Sequence, residues 1–183
     1  MISRPPNTAY RLRAGGTTKA QLLRQLDDAG VKRNALAEKL FDDERFIVTE
    51  NLAFNEVFFI SPSDLGFSEG ATFSQVVTEA GKRGLALCPL DFAVHLRLQF
   101  IDQSEGAIGQ IQTKHKAPPG SITVASAIPA NEEAPWGFYL RRIEGVLWLR
   151  GYTSSLDHLH SPQDVFLFVV NSNAEIATLT SGE

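Results

Sequence analysis

The sequence predicts an α+β domain: an N-terminal helical hairpin and one further helix packed on a mainly antiparallel sheet of five to six strands. Three observations predict it. Two capping-box patterns, Thr18-Lys-Ala-Gln21 and Thr72-Phe-Ser-Gln75, each precede apolar residues spaced three to four apart. The second half of the chain instead breaks into short β-branched and aromatic runs separated by turn residues. With 183 residues, 43% of them hydrophobic, the chain can bury a core unaided, and a lone Cys88 excludes both an internal disulfide and a cysteine-only metal cluster.

In order along the chain, Met1 to Gly16 has two adjacent prolines and a Gly-Gly pair, and reads as a flexible arm. The domain proper spans residues 17–170. In its first helix Leu22, Leu23 and Leu26 share a face, and Gly30 sits where a left-handed residue stops the helix. Asn34 is a good N-cap for a second helix that carries Leu36, Ala37, Leu40 and Phe41 and ends at Asp42-Asp43-Glu44. A strand is expected over Leu52–Ile60, a helix carrying Phe73, Val76, Val77 and Ala80, and a short strand over Leu85–Leu87. Pro89 opens a single helical turn, after which Leu96-Arg-Leu-Gln-Phe100 reads as a strand with Arg97 and Gln99 on one face. A polar loop over Asp102–Gly120 leads to a strand at Ser121–Ala127. The runs Gly137–Ile143 and Val146–Tyr152 form a hairpin across Glu144-Gly145, and the wholly apolar Val165–Val170 is a central strand. Residues 171–183 read as a flexible tail.

The formal charge of −4 is unevenly spread: residues 1–45 hold nine Lys and Arg against six Asp and Glu, and residues 46–183 hold eight against fifteen. An acidic body lacks the dense basic face that a duplex requires, which argues against nucleic acid and favours a basic protein surface as partner. A helix-turn-helix reading of the hairpin, with Lys32, Arg33 and Lys39 on phosphates, is the weaker alternative. No apolar run approaches the ~20 residues of a membrane span, and the N-terminus lacks an apolar leader core, so a cytoplasmic location is expected.

The segments Ala29-Gly-Val31 with Asn34, Ala37, Leu40-Phe-Asp42 and Arg45-Phe46, then Gly84-Leu-Ala-Leu-Cys-Pro89, Leu96-Arg-Leu-Gln99 with Asp102-Gln103, Gly145-Val-Leu-Trp-Leu149 and Phe166-Leu-Phe-Val169 resemble a group of small uncharacterised bacterial proteins. The resemblance spans roughly residues 17–170. It departs where such proteins often have Pro after the Asp-Gln pair and this chain has Ser104. What it implies is a single bacterial domain, with no reaction, ligand or partner attached.

The phosphate-binding, dinucleotide-binding and serine-hydrolase motifs are all absent, and no cofactor is predicted. His158-Leu-His160 on an extended segment would point both imidazoles one way, with Asp157 or His115 as a third metal ligand, although a solvated turn beside Ser161-Pro162 explains the pair as well. Cys88 before a helix start, with His95 nearby, has the makings of a thiol nucleophile and base, or equally of a buried apolar side chain. The polar set Arg97, Gln99, Asp102 and Gln103 could line a cleft, with Arg141, Arg142 and Arg150 added from the hairpin to grip a carboxylate or phosphate; alternating polar residues also mark any strand with one wet face. Trp136, Tyr139, Trp148 and Tyr152 beside those arginines are the residue types that anchor protein interfaces and also fill cores.

The function these features favour is a non-catalytic protein-binding domain, an inhibitor or immunity-type partner being one form, with Arg97, Gln99, Asp102, Gln103, Arg141, Trp148, Arg150 and Tyr152 as binding residues. The alternative is a small hydrolase or metal-dependent enzyme using His158 and His160, or Cys88 and His95.

Overall fold

The structure is a computed structural model and describes residues 7–106, 118–131 and 133–171. Helices begin where their caps predict. Thr18 accepts the Gln21 backbone N–H at 3.2 Å and its own N–H donates to Gln21 Oε1 at 3.0 Å, which starts α1 (Lys19–Asp28). Gly30, at φ +67°, ends it with the paired bonds Gly30 N–H to Asp27 and Val31 N–H to Leu26, and Val31 packs in the same core as Leu26. Asn34 caps α2 (Ala35–Phe41), and the second capping box starts α3 (Phe73–Lys82). Each fully buried leucine of α1, Leu22 and Leu26, contributes roughly 1.5–3 kcal/mol of burial.

The strands are β1 (Thr8–Ala14), β2 (Lys32–Arg33), β3 (Ala53–Ile60), β4 (Ala71–Thr72), β5 (Leu85–Ala86), β6 (Ile122–Val124), β7 (Gly137–Ile143), β8 (Val146–Tyr152), β9 (Leu159–His160) and β10 (Val165–Val170). Eight of them form one sheet in the order β1-β3-β10-β6-β7-β8-β2, with β5 also on β10, and β4 pairs β9 separately. The apolar β10 is central, as its composition requires, flanked by β3 on one side and by β6 and β5 on the other. Alternation divides the sheet between two cores. Leu12, Val57, Phe59, Val124, Leu140, Leu149 and Leu167 meet α1, α2 and α4 (Asp91–Gln99), while Phe58, Ala125, Trp136, Phe166 and Phe168 meet α3. Among the described residues no helix is long and apolar enough to cross a membrane.

Four expectations are corrected. The sheet is larger than five or six strands and is mixed, because β10 with β6 and β2 with β8 run parallel. The helical hairpin is interrupted: Lys32–Arg33 forms edge strand β2, so α1 and α2 flank a strand, and Arg33 is tied to Asp27 at 2.9 Å and Glu38 at 2.7 Å. The N-terminal arm contains β1, paired with β3 over seven residues because Leu12 and Ala14 supply an inward face. The strand expected at Leu96–Phe100 is the end of α4. That helix is buried from Asp91 to Arg97, so it lacks the apolar stripe that reveals a surface helix, and the alternation at its end imitates a strand.

Candidate binding face

The hairpin β7–β8 turns at Glu144 (φ +50°) and Gly145 (φ +77°), two left-handed residues that match the twist of paired strands. Phe138, Leu140 and Leu149 point into the core beneath α2 and α4. The intervening residues, Tyr139 and Arg141 on β7 and Trp148, Arg150 and Tyr152 on β8, therefore share the opposite face. In register, Tyr139 stands opposite Arg150 and Arg141 opposite Trp148. The Tyr139 and Tyr152 rings meet edge to face at 6.3 Å, and the Arg150 guanidinium lies 5.1 Å over the Trp148 ring.

Two cations dominate the electrostatics of this face. Arg141 is only 8% exposed and Arg150 is half-buried, and the Nε of each is buried without a hydrogen bond. Among the described residues neither is ion-paired, whereas Arg33, Arg45, Arg83 and Arg142 all are. Burial raises the Tyr139 phenol, partly offset by the fields of Arg150 and Arg141 and by the hydrogen bond with Arg150. Burial likewise pushes the Tyr152 phenol up, so both tyrosines stay protonated donors at neutral pH. Gly106 lets its segment approach Arg141, since a Cβ there would lie 2.7 Å from the Pro119 carbonyl oxygen and 3.2 Å from Arg141 Nε.

Arg97 and Gln103 belong inside. Arg97 is 0% exposed, donates Nη1 to Gln103 Oε1 at 2.5 Å and Nη2 to the Phe100 carbonyl, and its pKa is pushed down to about 10 by burial, with Arg142 adding repulsion. Gln103 in turn donates to the carbonyls of Gly120 at 3.0 Å and Leu140 at 3.2 Å, so the pair ties the end of α4 to the turn before β6 and to β7. Gln99, two helical positions after Arg97, faces away from it and bonds Arg13, so the two do not share a face as a strand would have them do. Asp102 is exposed just past α4. The structure thus gathers Arg141, Trp148, Arg150 and Tyr152 on one face, joins Arg97 to Gln103 inside the fold, and leaves Gln99, bonded to β1, and Asp102, at the surface, apart from both. Trp136 packs in the core against Phe73.

The enzyme alternatives find little geometry. The Cys88 thiol is buried beside the Leu167 carbonyl, and burial with the nearby Asp91 charge pushes it up, away from thiolate. His95 Nε2 accepts the Gly15 N–H at 3.1 Å. His158 and His160 do meet, edge to face with ring centres 4.6 Å apart, but His160 is buried between Phe73 and Phe166 with Asp164 at 3.6 Å, and Asp157 is held by Ser155. Among the described residues no three His, Cys, Asp or Glu side chains converge for a metal. His115 lies outside the described residues.

Sequence reasoning passed over Asp91, fully buried, which accepts the Thr49 N–H at 2.8 Å and lies 3.8 Å from His95. Its i, i+4 spacing to His95 is meaningful only once the segment is known to be helical. Comparison of the chain with protein-family models, curated proteins and solved structures finds no match.

Proposed function

We propose that the chain is a non-catalytic protein-binding domain that docks its partner on the β7–β8 face through Arg141, Arg150, Tyr139, Trp148 and Tyr152. One observation carries the reading. Two guanidiniums, one buried and one half-buried, stand among aromatic rings with free Nε groups and no carboxylate among the described residues to balance them. Such cations are costly to leave uncompensated, and a partner that brings Asp or Glu side chains to this face supplies the missing charge. Aromatic and arginine side chains are also the types that dominate binding energy at interfaces. An inhibitor or immunity-type role is the form of such a module that requires nothing beyond this face.

The test is affinity capture from a lysate of the source cell, using the wild-type domain and an Arg141→Ala/Arg150→Ala variant side by side, with mass spectrometry of what is retained. A stoichiometric protein held by the wild type and released by the variant supports the reading. Equal retention by both, or no stoichiometric protein at all, contradicts it.

A further inference from the structure

Away from the hairpin, among the described residues, β1 is one edge of the large sheet. Antiparallel pairing turns the backbone groups of alternate residues inward to β3 and outward to solvent. Arg13 faces outward, since its N–H donates to Gln99 Oε1 at 3.1 Å and its carbonyl accepts from Gln99 Nε2 at 2.7 Å. Gly15 also faces outward and donates to His95 Nε2 at 3.1 Å. Two side chains four residues apart on α4 therefore stand in for a neighbouring strand along that half of the edge. By the same alternation Ala9 and Arg11 present their N–H and C=O groups outward, and among the described residues nothing bonds to them there.

The surface beside these groups carries two arginines, and among the described residues Glu56 of β3, opposite Arg11, is the one acid in the hollow there. Arg11 and Arg13 are exposed and, among the described residues, neither is ion-paired; the Arg11 guanidinium lies 4.3 Å over the exposed Phe54 ring. That hollow measures about 440 Å³ and is lined by Ala9, Tyr10, Arg11, Phe54 and Glu56.

We infer that β1 accepts an extended segment of a partner chain as an added strand, bonded to Ala9 and Arg11 and acidic at the alternate positions that fall beside Arg11 and Arg13. Strand addition uses the outward N–H and C=O groups of Ala9 and Arg11 for affinity and side chains on one face for specificity. A second copy of this chain fits poorly, because β1 reads Thr-Ala-Tyr-Arg-Leu-Arg-Ala, with two arginines and no acid, and self-pairing would bring like charges together. The site is separate from the β7–β8 face and stands without it.

The probe is a fluorescein-labelled peptide of alternating glutamate and valine, with a lysine–valine peptide as control, followed by anisotropy on the full chain. Ala9→Pro removes an outward N–H and leaves the β3 ladder intact, a substitution that edge strands tolerate. The glutamate peptide should bind, the lysine peptide should not, Ala9→Pro should weaken binding at least tenfold, and Arg141→Ala/Arg150→Ala should leave it unchanged. Equal binding of the two peptides, undiminished binding to Ala9→Pro, or a chain dimer that Ala9→Pro dissociates would overturn the inference. Should Ala9→Pro fail to fold, Arg11→Glu/Arg13→Glu must switch the preference to the lysine peptide, and the absence of that switch overturns it equally.

Discussion

Asn34 and Gly151 hold each other in both directions across 117 positions of sequence: Asn34 Oδ1 accepts the Gly151 N–H at 2.8 Å, and Asn34 Nδ2 donates to the Gly151 carbonyl at 2.9 Å. The same Oδ1 accepts the Ala37 N–H at 3.0 Å, so one side chain caps α2 and fastens it to β8. Gly151 sits between Arg150 and Tyr152, so α2 braces the strand from behind the proposed binding face. There is no room for more than glycine, since a Cβ on Gly151 would lie 2.5 Å from the Leu36 carbonyl carbon and 2.7 Å from the Ala37 nitrogen.

Asn34→Ala should therefore cost about 1–2 kcal/mol as a lost cap. Gly151→Ala should cost about 1–3 kcal/mol or more, because α2 backbone must move. Urea denaturation gives both values, and the pair should be non-additive because the two residues share one contact. A Gly151→Ala protein as stable as the wild type would show that α2 is not seated as described.

Gln103→Ala leaves the buried Arg97 Nη1 and the Leu140 carbonyl without their partner, and should cost about 2–4 kcal/mol. Arg97→Met in that background should recover part of the loss by removing the stranded charge. Thermal or urea unfolding of the two variants checks this, and a further loss in the double variant would contradict it.

Burial lowers the pKa of His95, against a smaller opposing pull from Asp91 3.8 Å away. Its Nε2 accepts the Gly15 N–H, so the folded state holds the ring neutral. The unfolded chain then binds the proton more readily, so this group's contribution is fully present above the unfolded value of about 6.5 and is lost as pH falls through the lowered folded value. Stability measured by urea titration from pH 8 to 5 should decline below about 6.5, and His95→Gln should flatten that part of the slope.

Cys88 should resist alkylation in the folded protein and react on unfolding, since it is buried and its pKa is raised. Iodoacetamide labelling with and without urea checks this, and rapid labelling of the native protein would restore the thiol as a nucleophile.

Local signals in the sequence were enough for the helix caps at Thr18, Asn34 and Thr72, for the Glu144-Gly145 turn and for the central strand at Val165–Val170, because each depends on a few neighbouring residues. β1 was hidden because its adjacent prolines and glycines resemble an arm while its pairing partner lies some 45 residues away in β3. The same non-locality hid the parallel pairs of β10 with β6 and β2 with β8. α4 was misread because a helix buried on nearly every side loses its periodic stripe. On the outer face of β7–β8 the hairpin register brings Arg141, Trp148, Arg150 and Tyr152 together as their alternation implies. Because the segment is a helix end and not a strand, Gln99 and Asp102 part from Arg97, which turns inward and keeps only Gln103 of that set.

The most direct test of the proposed binding face is a calorimetric titration of whatever protein the capture retains against the wild-type domain, Arg150→Ala, and a Gln99→Ala variant that loses the side chain bonded to β1 at the distant sheet edge. If the β7–β8 face is the docking site, Arg150→Ala weakens binding by about 30-fold, the ~2 kcal/mol of an interface anchor, while Gln99→Ala binds as the wild type does. An affinity that Arg150→Ala leaves within about twofold of wild type, where an anchor should cost far more, would place the partner elsewhere on the molecule.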